Sequence, residues 1–200
     1  AMLRKMADQN ADVQVTRHRE RRSGSLEQAA ANEGAKILEL DSLDHIVCFD
    51  MAQLQGDERV GASVVLRKGR PAKKEYRTYR VKSDAPDDLR MMAEVVERWL
   101  KHQDGWPDLL LLDGGQTHLS AIERMLDGHG LTGRFPVAAL AKREETLHMD
   151  GREPLILSKH GCVFVHALDK AHRFVHRSHR RRRGTFSYTL LTQPSYFFSL

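Results

Sequence analysis

Two carboxylates far apart in the sequence stand where a fold places reactive groups. Asp113 follows the four leucines Leu109 to Leu112 and precedes Gly114 and Gly115. A carboxylate at the end of a buried strand is a poor choice for stability. The two glycines let the backbone turn sharply and clear space in front of it. Asp50 ends a second apolar run, His45-Ile46-Val47-Cys48-Phe49. Two acids at the tips of two hydrophobic strands form a recurrent arrangement for a divalent cation bound through oxygen. Phosphodiester hydrolysis needs a hydroxide nucleophile near neutral pH and relief of charge in the transition state, and Mg²⁺ or Mn²⁺ supplies both.

Other polar groups have quieter readings. Asp87 and Asp88 precede an apolar helical pattern and read as caps for its free amides. His172, His176 and His179 share a helical face at i, i+4 and i+7. Without cysteine partners, that spacing reads as a solvated basic helix rather than a zinc site. The run from Arg173 to Arg183 is the clearest basic patch. Arg173, Arg177, Arg180, Arg181 and Arg182 would meet phosphates without reading sequence, although a helix C-terminus also attracts such cations. Lys142 and Arg143, after a short buried strand, are candidate phosphate contacts. Lys73 and Lys74 read as ordinary surface, as does the Arg17 to Arg22 run.

The elements that must position these groups follow from periodicity. Residues 1 to 42 form a charged helical arm that Ile37, Leu38 and Leu40 dock. Strands follow at 45–50, 60–66 and 75–81, joined by short turns into an antiparallel meander. Leu89, Met92, Val96, Trp99 and Leu100 recur at helical spacing. Pro107 opens the LLLLD strand, read as buried on both faces. A helix carries Leu119, Ile122, Met125 and Leu126 and ends near Gly128 and Gly130. Pro136 to Lys142 is a further strand, and Asp150-Gly151 marks a hairpin between 146–149 and 154–157. A last helix spans 163–182. The domain thus covers 43–184, with a tail at 185–200.

Composition agrees with an anionic partner. The chain has 200 residues, 40% hydrophobic and 30% charged, with net charge +5. Nucleic acid fits best, since the charge clusters near the end. Cys48 and Cys162 suggest neither a disulfide framework nor a zinc site, so a reducing, cytoplasmic setting is expected. No apolar run reaches transmembrane length, and the N-terminus does not resemble a signal peptide.

The element order, with acids ending the first and fourth strands, resembles the ribonuclease H-like fold. This is an α/β architecture: a mixed five-stranded sheet with flanking helices, plus a small hairpin. The motifs HIVCFD, GRPAKKEYRTYRV, DDLRMMAEVVERW, PDLLLLDGG, PVAALAKR and DKAHRFVHRSHRRRR resemble, in order, those of the C-terminal nuclease domain of the excinuclease ABC protein UvrC. The likeness spans about residues 45 to 185. It implies an endonuclease of nucleotide excision repair that cuts damaged double-stranded DNA on the 5′ side of a lesion. It further implies Asp50, Asp113 and His172 as catalytic metal ligands and Asp88 as an additional catalytic acid. A UvrB-type helicase is the implied partner of the full-length protein; the domain itself is expected to be a monomer, with no membrane partner. The chain departs from the pattern after Asp50, with Met51-Ala52-Gln53 in place of Ile-Ser-His, and carries Gln116 where lysine is usual. It lacks the helix-hairpin-helix module that normally follows the basic run, and so reads as an excised domain or a shortened relative. Two rivals remain open: a catalytically silent DNA-binding or scaffold domain, and an endonuclease V-like enzyme of the same fold.

Overall fold

Burial on alternate faces organises the chain into a twisted sheet with helices on both sides. The computed structural model describes residue 24 and residues 26–53, 59–82, 87–157 and 162–189, with the side chains of Gln53, Cys162 and 177–189 outside that description. The Arg17 to Arg22 run lies outside the described residues, as do the side chains of Arg177, His179 and Arg180 to Arg182.

Helix α1 covers residues 26–37. The meander follows as β1 (His45–Gln53), β2 (Arg59–Arg67), β3 (Arg70–Pro71) and β4 (Arg77–Arg80). Then come α2 (Asp88–Leu100), β5 (Leu109–Asp113), α3 (Gln116–Gly128) and β6 (Val137–Ala141). The chain continues through β7 (Thr146–Met149) and β8 (Leu155–Ile156) into α4 (Cys162–Thr189). Across the sheet, β3 and β4 both pair with β2, followed by β1, β5, β6, β7 and β8. β1, β5 and β6 run parallel and the remaining pairs are antiparallel. The order is mixed and ribonuclease H-like, as expected from the sequence, but the sheet has eight strands rather than five, because β3, β4, β7 and β8 all pair into it.

The register between β1 and β5 is held from below. Asp108, just before β5, receives hydrogen bonds on Oδ2 from the amides of Asp44 (2.7 Å) and His45 (3.0 Å) and from the Ser42 hydroxyl (2.9 Å). Its own amide donates to the His45 carbonyl at 2.8 Å. Above that clamp, Ile46 lies beside Leu109 and Phe49 beside Leu112. One face of the sheet packs Ile46, Cys48, Leu109 and Leu111 against α1 and α4, through Ala35, Leu38, Phe164 and Leu168. The other packs Val47, Phe49, Leu110 and Leu112 against α2 and α3, through Val96, Trp99, Leu119 and Ile122. Phe49 meets Trp99 edge-on, with ring centroids 5.6 Å apart.

Three expected boundaries shift. The third strand does not run from Glu75 to Val81; a 3-10 turn takes Lys73–Glu75, and pairing resumes only at Arg77. Pro71 has no amide to donate, which cuts short the pairing of β3, and Tyr76 turns inward against Phe174, with ring centroids 5.0 Å apart. The hairpin is continuous with the sheet, since β7 pairs with β6. The last helix continues to Thr189 rather than Arg182. Among the described residues no helix is long and apolar enough to cross a membrane.

Removing side-chain volume from β5 should be costly. Leu111→Ala is expected to lower the unfolding free energy by about 2–5 kcal/mol in urea titrations. Asp108→Ala, which strands two amides, should lower it by about 1–3 kcal/mol. Wild-type stability in both variants would contradict this picture of how β1 and β5 are aligned.

Candidate active site

Strand alternation settles which way the two acids point. Ile46 and Cys48 face α4, so Asp50, two residues further on, shares their face. Leu109, Leu111 and Asp113 alternate in the same way. Continuing the parallel register one residue past Phe49 and Leu112 sets Asp50 beside Asp113. The two carboxyl groups lie within hydrogen-bonding reach of each other.

Their environments differ. Asp50 is 3% exposed and is one of only two buried polar or charged side chains among the described residues, whereas Asp113 is half-buried at the rim. Burial, and then the neighbouring Asp113 carboxylate, raise the Asp50 carboxyl from 3.8 to about 7; the Lys142 ammonium and the Met51 amide oppose that shift. Asp50 Oδ2 is buried and makes no hydrogen bond. His172 Nδ1 stands 3.4 Å from it, without hydrogen-bond geometry.

α4 brings His172 over the sheet because Phe164, Leu168, Ala171 and Val175 are buried on its inner face. His172 projects from the flank at the carboxylate end, with its ring edge-on to His176 at 4.4 Å between centroids. Lys142, directly after β6, pairs through Nζ with Asp169 at 3.2 Å, one turn before His172 on α4. Asp113, Gly114, Gly115, Lys142, Arg143 and His172 share an open cleft of about 610 Å³. Gly115 caps α3 without a side chain, so the first amides of that helix carry no side-chain cap beside the cleft. Such amides favour an anion.

The structure therefore brings Asp50, Asp113, His172, Lys142 and Arg143 to one end of the sheet. It treats the remaining candidates differently. Asp88 is exposed at the start of α2, while Asp87 caps that helix by accepting from the Leu89 amide at 3.0 Å. The topology opens α2 at the same end of the sheet, yet no described contact joins Asp88 to either acid. Arg173 lies about 100° around α4 from His172, on the flank where it and Lys170 act with burial to lower His166. Gln116 is exposed at the start of α3 and reaches Ser120 at 3.4 Å. Asp169 was not singled out from the sequence; the available signal was its place one turn before His172.

The donor set fits a hard divalent cation. Two carboxylates crowd one another, one holds an orphaned buried oxygen, and a cation between them would relieve their repulsion. Among the described residues no group of three acidic, histidine or cysteine side chains is placed to hold a metal ion, so the candidate donors are the two carboxylates, with His172 beside them.

A family model described as the UvrC RNase H endonuclease domain matches residues 35–176. The UvrABC system protein C of Porphyromonas gingivalis is 40% identical over 149 residues, covering 70% of this chain and 25% of the relative. Its counterpart in Gloeobacter violaceus is 35% identical over 199 residues, covering 92% of this chain and 31% of the relative. The chain thus spans about a quarter to a third of the length of these relatives. Among solved structures, endonuclease V from Ciona intestinalis bound to inosine-containing DNA overlaps at TM-score 0.39 and 14% identity, covering 61% of this chain and 56% of that one.

The raised Asp50 carboxyl has a consequence for stability. A carboxyl that titrates near 7 when folded and near 3.8 when unfolded adds stability at acid pH, fully present below about 4 and lost as pH rises through about 7. In chelator-treated protein, the wild type should lose up to about 4 kcal/mol relative to Asp50→Asn between those limits. Parallel stability–pH curves for the two proteins would show that Asp50 ionises freely.

Proposed function

Since the chain belongs to the family of UvrC RNase H endonuclease domains, we propose that it hydrolyses phosphodiester bonds in DNA at the Asp50–Asp113 end of the sheet. The biological substrate in this reading is damaged duplex DNA, incised on the 5′ side of the lesion during nucleotide excision repair, with a UvrB-type helicase delivering it. The observation that carries the reading is the pairing of two strand-end carboxylates beneath His172, with one carboxylate oxygen buried and making no hydrogen bond.

Asp50 and Asp113 would hold Mg²⁺ or Mn²⁺, with His172 beside them. When bound, the cation supplies an activated nucleophile and neutralises charge at the phosphate. The chain's own groups account for the rest. Asp113 stands at the rim, where the cleft admits a phosphate. The uncapped first turn of α3, with Lys142 and Arg143, offers donors to non-bridging phosphate oxygens. Lys142 is tethered by Asp169, so its ammonium is aimed before substrate arrives. His172 is exposed to the cleft on one side and borders Asp50 on the other, a position from which an imidazole can move a proton to or from water. Asp88, at the same end of the sheet, belongs to this reading as a more distant acid that substrate would have to approach.

Plasmid nicking in the presence of Mn²⁺ tests the proposal. Asp113→Asn should reduce nicking at least about 100-fold, given the scale of losses when groups that stabilise the transition state are removed. Its circular dichroism and urea midpoint should stay close to wild type. Chelation should abolish nicking reversibly. Unchanged nicking by folded Asp113→Asn would overturn the assignment. A wild-type chain that binds DNA but never cuts it would favour the silent scaffold instead.

A further inference from the structure

Among the described residues, a strongly charged surface lies away from the cleft. Residues 67 to 82 read RKGRPAKKEYRTYRVK, which holds eight basic residues and one acid. Eight less one is +7 within sixteen residues, more than the +5 of the whole chain. In the fold this segment forms one edge of the sheet, as β3, the 3-10 turn and β4 along β2. All eight basic side chains, from Arg67 to Lys82, are exposed.

The single acid is already committed. Glu75 takes two hydrogen bonds from Arg67, at 2.8 and 3.3 Å, and this contact lowers its carboxyl below the usual range. Acids on neighbouring elements satisfy other cations: Glu27 pairs with Arg70 at 3.3 Å, and Glu94 pairs with Arg98 at 3.6 Å. Among the described residues no carboxylate pairs with Lys68, Lys73, Lys74 or Lys82. A groove of about 600 Å³ runs from this edge onto the α2 face toward the His45 end of the sheet, lined among others by Arg67, Arg77, Thr78, Arg98, His102 and Gln103, with Glu75 and Asp104 as its acids.

We propose that this basic edge is a second DNA-contact surface, which grips the phosphate backbone of the duplex beside the position being cut. Charge complementarity identifies the occupant: exposed, one-signed and flexible lysines suit a polyanion and carry no base readout. Edge strands also carry lysine to prevent sheet-to-sheet pairing, but that purpose needs only one or two charges. Geometry links the edge to the active site. Asp50 pairs across β2 with Ala62, and Ala62 pairs with Thr78, so β4 lies two strands from Asp50, about 10 Å away. One duplex can span both. The inference rests on the DNA-cutting reading, but makes a separate claim about where affinity resides.

The test uses the whole chain and a short fluorescein-labelled duplex, with binding followed by anisotropy across a salt series. The triple variant Lys73→Gln, Lys74→Gln, Lys82→Gln should bind at least about tenfold more weakly, and should lower the slope of log K against log salt by up to about 0.9 per lost contact. A charge-matched control, Lys36→Gln, Lys101→Gln, Arg134→Gln, removes exposed cations elsewhere and should change affinity less than about twofold. Equal weakening by the two triples, or wild-type binding by the edge triple, overturns the proposal. Failure of the functional reading looks different: Asp113→Asn would then nick like wild type, whatever the edge variants do.

Discussion

The alignment of β1 against β5 determines whether the site exists at all. Side chains on a strand alternate with a period of two, so a slip of one residue would turn Asp50 into the α2 and α3 layer. It would bury a carboxylate against Leu112, Val96 and Trp99, with nothing to satisfy it. The alignment is secured at the far end of the sheet, where Asp108 gathers the amides of Asp44 and His45. It is secured along its length by two-sided burial of the leucines. Stability and chemistry therefore share one feature: the clamp at the bottom of the strands sets which way their tips point.

At those tips the fold accepts an electrostatic cost. Asp50 is dry and faces Asp113, and both effects push its proton affinity up. Lys142 offsets part of this, but its charge is shared with Asp169 on α4. α4 thus contributes twice, bringing His172 over the acids and anchoring the lysine beside them. A pair of acids held this way is poised for a cation in a way that two solvated carboxylates are not, because the site loses repulsion as well as gaining bonds when one binds.

Much of this was legible in the sequence, for physical reasons. HIVCFD and LLLLD announce strands buried on both faces, and a charge at the end of each is conspicuous because burial makes it expensive. Helices α2 and α3 follow from their apolar periodicity. The third strand was less legible, because alternation in EYRTYRV hides the inward turn of Tyr76 and the break that Pro71 imposes. Pairing between Lys142 and Asp169 joins elements far apart in sequence, and no local pattern encodes it. The edge charge was visible residue by residue, yet Lys73 and Lys74 looked like ordinary surface. Their weight emerges only when eight cations prove exposed along one edge with a single committed acid. His172 stands 3.4 Å from Asp50, whereas Asp88 has no described contact with the pair.

Joint binding of a cation by Asp50 and Asp113 is open to direct inspection through anomalous diffraction from a crystal soaked in Mn²⁺. One strong peak is expected between the two carboxylates, at ligand distances of roughly 2.0–2.2 Å from an oxygen of each, and it should vanish in Asp50→Asn. A peak confined to other residues, or none at this end of the sheet when Mn²⁺ is seen elsewhere, would refute the shared site.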